Sequence, residues 1–555
     1  MKKQTLSKLF SAAAAIIVLA GCSSVDNTFE NKDTAMSDQI KIGWAKRSIA
    51  PQEGVAPITG QFYLRVAIGQ YTPVLVSSLV LENGNDAVIF VSADMVSVSD
   101  KVLIKVQENL AAEAPEIPGN KIILNATHTH AGPAVNAPEK TAYPNTVDFI
   151  PQSRMVEFIA RQITDAVKEA WAKRAPGSIA YGYGFAMTGY SRRTVYLDDI
   201  TRYEPSRPGF ALNGRAKMYG STARDIFDGY ESGTDTFINL LYTFDSSDKL
   251  TGAIINVPCP SQTCGTAWYL HASFWHNVRE KLSARYGDIG VICQAAAAGD
   301  LSPRQMHYKA AENRRYRLKY PEKIKAYMAN PMKYPDGLYD SQEKYDAQYD
   351  FDCMEFMQAE DIGERIFNAF EEVLSWAGKE KFTKPELRHE VRTLELSRRT
   401  FPKELVEQER ANYEEFSKQE FLTEGNKFAV LQHNSMLNSG RNRCGGVVKR
   451  YENQAVEPAL KTDIHIVRIG NVAFASNRFE LFMDYMHRIQ ARSPFEQTFI
   501  VQLVTDKYGV GSYLATGKAI ANKGYSATPY CNLVSPEGGQ QLVNETLKIL
   551  DEVKK

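Results

Sequence analysis

The chain has no surplus of charge: 65 lysines and arginines face 65 aspartates and glutamates, for a formal net charge of zero. That balance argues against a nucleic-acid partner and against a polybasic membrane face. Cysteine is sparse, with 7 in 555 residues. The six beyond Cys22 are scattered, which rules out a dense disulfide scaffold even for an exported protein. Cys259 and Cys264 stand close enough in sequence to pair, but their Cys-x4-Cys spacing does not suit a zinc knuckle. The apolar run at 9–19 is too short for an ordinary transmembrane helix. There is no low-complexity tract and no internal repeat.

What remains is material for a large core, with 44% hydrophobic and 11% aromatic residues. The length alone allows about two to four domains, although single α/β enzymes exceed that prior. The first residues form an address. Lys2, Lys3 and Lys8 precede the apolar run, and Leu19-Ala-Gly-Cys22 matches a bacterial lipobox. The match implies cleavage before Cys22 and lipid attachment to it. Ser23 in the next position follows the outer-membrane sorting pattern. Residues 1–22 are thus expected to be a signal peptide and 23–38 a polar tether. The expected location is the cell envelope, anchored to the outer membrane through Cys22, on the periplasmic or the surface face.

Beyond the tether, β-branched runs alternate with helical spacing. Residues 74–82 and 86–92 read as strands joined by the hairpin signal Asn83-Gly-Asn85. Residues 101–114, 155–173, 273–286, 353–374, 403–419, 479–491 and 540–553 read as helices. Further strands are expected at 237–244, 250–257, 290–298, 386–396, 462–476 and 498–505. Residues 432–456, rich in Arg and Asn, read as irregular. Residues 305–350 read as an exposed helical insertion, possible as a lid. The alternation predicts an α/β domain over 39–555, a mixed β-sheet core flanked by helices. Sites in such folds gather at strand ends.

Two segments at strand ends carry chemistry. In Asn125-Ala-Thr-His128-Thr-His130-Ala-Gly-Pro133, two imidazoles leave the apolar run 121–124, and extended spacing would put them on one face. Alone, the pair reads as readily as strand-capping histidines. In Gly299-Asp-Leu-Ser302-Pro303 a serine stands on a tight turn. That suits a nucleophile, or a helix cap.

Together these segments resemble the neutral/alkaline ceramidase family. The opening Gly43-Trp-Ala-Lys-Arg-Ser-Ile-Ala-Pro51, the His block, the Asp-Leu-Ser-Pro turn, Ser476-Asn-Arg-Phe-Glu480 and Ser512-Tyr513-Leu-Ala-Thr516 match it in order, over roughly 41–530. The resemblance implies the catalytic domain of that family without its C-terminal β-domain. It implies a Zn²⁺ ion held by His128, Glu480 and Tyr513, with His130 beside it. It further implies Ser302 as the catalytic serine and Arg192 as the catalytic arginine, with Arg193 as the one-residue alternative. The family's second zinc histidine falls on Cys259, in Pro258-Cys259-Pro260-Ser261-Gln262. Cys259 can be a thiolate ligand or a nucleophile, or the metal can be lost. His271 is a further substitute, or more simply a residue at a helix start. Asp300 joins the catalytic set by its place in the turn. Arg193, Arg304 and Tyr525 are substrate-binding candidates by their nearness to these segments.

Three functions are open at this point. The first is an exported metal-dependent hydrolase that cleaves an N-acyl amide through activated water or Ser302. The second is a carbohydrate-directed hydrolase or lyase acting on a surface glycan. The third is a non-catalytic ligand-binding lipoprotein. The partner is a small-molecule, lipid or glycan substrate, with the membrane reached only through Cys22.

Overall fold

Runs of buried β-branched and aliphatic residues build two sheets. The computed structural model describes residues 39–84, 86–509 and 511–555. The expected signal peptide and tether lie outside them. The larger sheet contains β1 (Lys41–Ser48), β2 (Leu75–Asn83), β3 (Asp86–Ala93), β4 (Ile122–Ala126), β5 (Ala175–Phe185), β6 (Phe237–Asp245), β7 (Leu250–Val257) and β8 (Gly290–Ala295). Their order is β8-β7-β6-β5-β1-β2-β3-β4. The central pairs are antiparallel, and the outer pairs β3–β4 and β7–β8 are parallel. Each parallel pair is connected through a helix, as parallel strands require: α1 (Asp100–Glu113) at one edge and α2 (Phe274–Tyr286) at the other.

The smaller sheet runs β9 (Leu387–Ser397), β10 (Ala459–Ile469), β11 (Val472–Ser476), β12 (Gln497–Val501), in that order. The sheets pack face to face. Leu81, Phe90, Ile123 and Ile254 of the first meet Val467, Phe474, Phe499 and Val501 of the second in one buried cluster. The Phe90 and Phe474 rings lie 4.8 Å apart. Helices cover the outer faces. Helix Gln152–Ala172 lies with α1 on one half of the large sheet, and Gln342–Ala377 lies with α2 on the other. Met483–Gln490 and Pro536–Lys554 cover the small sheet. The result is a helix-sheet-sheet-helix sandwich, an α/β fold with a mixed sheet core, as expected.

Two expectations need correction. Residues 432–456 are not irregular, because Lys427–Asn453 is one helix. Its Val430, Leu431, Leu437, Cys444, Val447 and Val448 recur at helical spacing and are buried. Tertiary burial overrides the weak propensity of its Asn and Gly residues. The 305–350 insertion is helical at Lys309–Lys319 and Pro321–Ala329, but it is not simply exposed. Tyr316, Tyr320 and Tyr327 pack with Cys353, Met354 and Met357 of the long helix Gln342–Ala377. All six described cysteines, Cys259 and Cys264 included, are free.

Candidate active site

The ends of the edge strands β4 and β8 approach each other, with Asn125 Nδ2 donating to Cys293 O at 2.9 Å, and the two chemical segments follow them. After β4 the chain does not stay extended. His128 adopts φ +66°, a left-handed conformation that costs a non-glycine residue energy. The convergence of the two histidines therefore comes from a turn, not from strand alternation. The turn is held by backbone bonds from Thr127 N to Ala93 O and from His128 N to Met95 O. Beneath it, buried Asp94 accepts from Thr127 Oγ1 at 3.2 Å and from both ends of the Arg279 guanidinium at 2.6 and 3.1 Å. Asp94 thus orients the loop.

His128 Nδ1 lies 2.7 Å from Val96 O, so Nδ1 carries the hydrogen and the Nε2 lone pair is left free. Nε2 is 3.3 Å from the Glu480 carboxylate and 3.5 Å from His130 Nε2. Glu480 lies on a short strand, Glu480–Leu481, paired in parallel with Tyr513–Leu514 so that Glu480 stands directly opposite Tyr513. A helix over 479–491 would have prevented this pairing; the helix starts at Met483. Arg192 closes the group, donating from Nη2 to Tyr513 OH at 3.1 Å and to Gly299 O at 2.8 Å. Gly299 has to be glycine, since a Cβ there would lie 2.4 Å from Glu480 O.

These side chains line a cavity of about 470 Å³, together with His130, Tyr219, Gln262, Arg304, Arg443 and Tyr525. Burial disfavours the Glu480 charge, but His128, Arg192 and Tyr513 outweigh it and hold the carboxyl below its usual range. Burial, reinforced by His128, Arg65, Arg192 and Arg304, keeps His130 neutral well below the ordinary imidazole range. Burial pushes the Tyr513 phenol up, against the pull of Arg192.

Other expected residues stand elsewhere. Cys259 is fully buried and does not line the cavity. Its Sγ donates to Thr188 O at 3.1 Å, and burial pushes the thiol up. In its place Gln262, three residues on, reaches the site with Nε2 2.9 Å from His130 Nε2. His271 is also buried, its Nε2 against Cys264 O at 3.1 Å. Arg193 is not a substrate contact: fully buried, it pairs with Glu231 and donates to the carbonyls of Ala519 and Lys523. Asp300 is buried behind the cavity and accepts from Met483 N at 3.1 Å. Ser302 is fully buried, and its Oγ accepts from Tyr219 OH at 3.3 Å and from Arg304 N at 3.1 Å. Tyr219 lines the cavity and Ser302 does not.

Among the lining residues that escaped the sequence reading, Tyr219, Gln262 and Arg443 carry polar groups into the cavity. Tyr219 has φ +56°, another left-handed non-glycine residue. Burial opposes its ionisation, but Arg192 and Arg304 outweigh burial and lower the phenol below its ordinary value. No pattern in the sequence marks it.

An imidazole, a carboxylate and a phenol at one point suit a borderline divalent ion. Among the described residues no three His, Cys, Asp or Glu side chains form a metal cluster. The donor types at this point of the cavity are those of His128, Glu480 and Tyr513, and Cys259 stands outside it.

Fold and cavity define an α/β protein with a polar, buried catalytic-type pocket at strand ends. Residues 69–196 match the family model of neutral/alkaline non-lysosomal ceramidase, N-terminal. The neutral ceramidase of Pseudomonas aeruginosa is 26% identical over 224 residues, 39% of this chain and 29% of that protein. The sequence match thus spans under a third of that relative's length. The crystal structure of neutral ceramidase from Pseudomonas aeruginosa superposes with a TM-score of 0.60 at 18% identity, covering 93% of this chain and 75% of that one. A ceramidase complexed with C2 gives 0.57 at 16% identity, with the same coverage. The chain is thus similar to neutral/alkaline ceramidases, in sequence over residues 69–196 and in fold over 93% of its length.

Proposed function

We propose that this chain is an exported hydrolase of ceramidase type that cleaves an N-acyl amide in the cavity of His128, Glu480 and Tyr513. The observation that carries this reading is the meeting of His128, Glu480, Tyr513 and Arg192, from four separate segments, in one buried cavity. In this reading the three donors hold a divalent ion such as Zn²⁺, which when bound supplies Lewis acidity at the amide carbonyl. Neutral His130 is the base for the attacking water. Arg192 supplies positive charge where the carbonyl oxygen becomes negative. Ser302 acts through Tyr219, because a serine nucleophile would need Tyr219 to swing away. The lipobox leader supports export and a lipid anchor at Cys22 in the outer membrane.

A second reading, a carbohydrate-directed hydrolase or lyase, is favoured by Tyr219. A phenol lowered by two arginines is suited to proton abstraction beside an anionic group. Turnover of a fluorogenic N-acyl sphingosine and of N-acyl sugars by the parent protein and by Glu480→Gln decides between them. Release of free amine, abolished in the variant, is expected. Chain shortening of a glycan with the N-acyl group intact would favour the second reading.

A further inference from the structure

The cavity carries more positive charge than amide hydrolysis uses. Its lining includes Arg192, Arg304 and Arg443, against Glu480 as the sole carboxylate among the described lining residues. Arg304 pairs with Glu355 at 2.9 Å. Arg443 has no ion pair among the described residues. Its Nε donates to Gly209 O, its guanidinium stacks 5.3 Å from the Phe62 ring and 5.7 Å from the Tyr525 ring, and its buried Nη2 has no hydrogen-bond partner. A buried donor without a partner is costly, and an anion there would recover that cost through a charge-assisted bond.

The cavity also has an annex. A second chamber of about 350 Å³ shares Tyr219 and Arg304 with the first. It is formed with the helical insertion, and its lining mixes Lys309, Glu312, Asp350 and Glu355 with the ring faces of Tyr316 and Phe351 and the apolar Met306, Ala347 and Met354. Charged and amide chain ends beside ring faces suit a hydroxyl-bearing ring. In the first cavity the purely apolar side chains are Phe62, Val96 and Met218 alone among the described lining residues. Two long hydrocarbon tails would find little to cover them there.

We propose that the substrate is an anionic, hydroxyl-rich N-acyl compound, of the class of N-acylated sugar acids or sugar phosphates. Its negative group docks on Arg443, and its polar remainder extends past Tyr219 and Arg304 into the annex. The inference rests on the reading that this cavity is the catalytic one. It departs from a neutral lipid substrate.

The test is calorimetric binding of matched probes to the full chain: N-acetylglucosamine, N-acetylmuramic acid, N-acetylglucosamine 6-phosphate and N-hexanoyl-sphingosine. At least one charged sugar should bind about tenfold tighter than the neutral sugar, the weight of one charge-assisted bond. The carboxylate and phosphate arms identify which anion is preferred. The advantage should fall below about twofold in Arg443→Gln and survive largely in Arg443→Lys. Should Arg443→Gln fail to fold, salt decides in the parent protein: the advantage should shrink between about 50 and about 500 mM salt. Equal binding of charged and neutral sugars, an advantage that persists in a folded Arg443→Gln, no binding of any charged probe at millimolar concentration, or tightest binding of the sphingosine amide would each overturn the proposal. Parallel turnover assays separate it from the hydrolase reading. Anion preference without cleavage of any probe sinks the hydrolase reading and leaves the anion site on Arg443 standing, whereas cleavage of the neutral lipid without anion preference sinks this proposal alone.

Discussion

The wall that carries His128, Glu480 and Tyr513 is fixed by backbone, whereas on the facing wall the guanidiniums of Arg304 and Arg443 are placed by side-chain contacts. On the first wall the Glu480–Leu481 and Tyr513–Leu514 strands pair residue for residue, and the His128 turn is bonded to β3 and the loop after it. On the second, Arg304 is steered by Glu355, Arg443 rides on a long surface helix, and Tyr219 sits between two guanidiniums. The difference teaches a division of labour. Backbone pairing holds the donors to the close tolerance that chemistry needs. Side-chain contacts such as Arg304 with Glu355 can change without disturbing those donors, which suits them to the selective role proposed above.

Breaking the first wall should have the largest effect. His128→Ala or Glu480→Gln should lower turnover by about a thousandfold, roughly 4 kcal/mol of barrier, because each removes one of the three donors proposed to hold the ion, with the thermal midpoint nearly unchanged. A residual rate within tenfold of the parent would place the chemistry elsewhere. The neighbours Arg192 and Arg193 sharpen the contrast, since one faces the cavity and the other the core. Arg193→Leu leaves Glu231 buried without its partner and should cost about 3–5 kcal/mol in a denaturant titration. A variant as stable as the parent would show that the pair is not the strut it looks to be.

Tyr219→Phe tests the second wall. It removes the hydroxyl bonded to Ser302 but leaves the ring, and should lower turnover about ten- to a hundredfold. Its pH–rate profile should also lose the alkaline-side dependence of a lowered phenol. An unaltered profile would make Tyr219 only a partition.

The smallest effect lies away from both walls, in the sheet interior. His389 and His465 are buried with ring nitrogens 2.9 Å apart. Burial holds His465 down to about 4 and His389 well below its ordinary value. Both folded values are depressed, so their stabilising effect is present above the unfolded value near ~6.5 and is lost as pH falls toward about 4. Stability should drop by up to about 1.4 kcal/mol per pH unit per group in that window. His465→Gln should flatten the slope of urea midpoint against pH.

Much of the first wall was legible in sequence because its residues stand in short motifs at strand ends. His128, Glu480, Tyr513 and Arg192 each belong to such a segment, and they meet. Cys259 misled for a local reason. The chain turns after Pro258, and the side chain that reaches the cavity is Gln262. Ser302 stands on the turn expected of a nucleophile, but the strand pair Leu301–Ser302 with Tyr190–Ser191 buries it behind Tyr219. The second wall was not legible. Tyr219 depends on a left-handed backbone that no motif announces, and Arg443 sits on a helix whose Asn and Gly content mimics a loop.

Zinc stoichiometry, measured on the purified protein and on Glu480→Gln, tests the central claim most directly. The account predicts close to one zinc per chain in the parent, a marked loss in the variant, and amide turnover that follows the metal. Equal zinc in the two proteins, or full amide turnover from a parent protein that holds no metal, would contradict it.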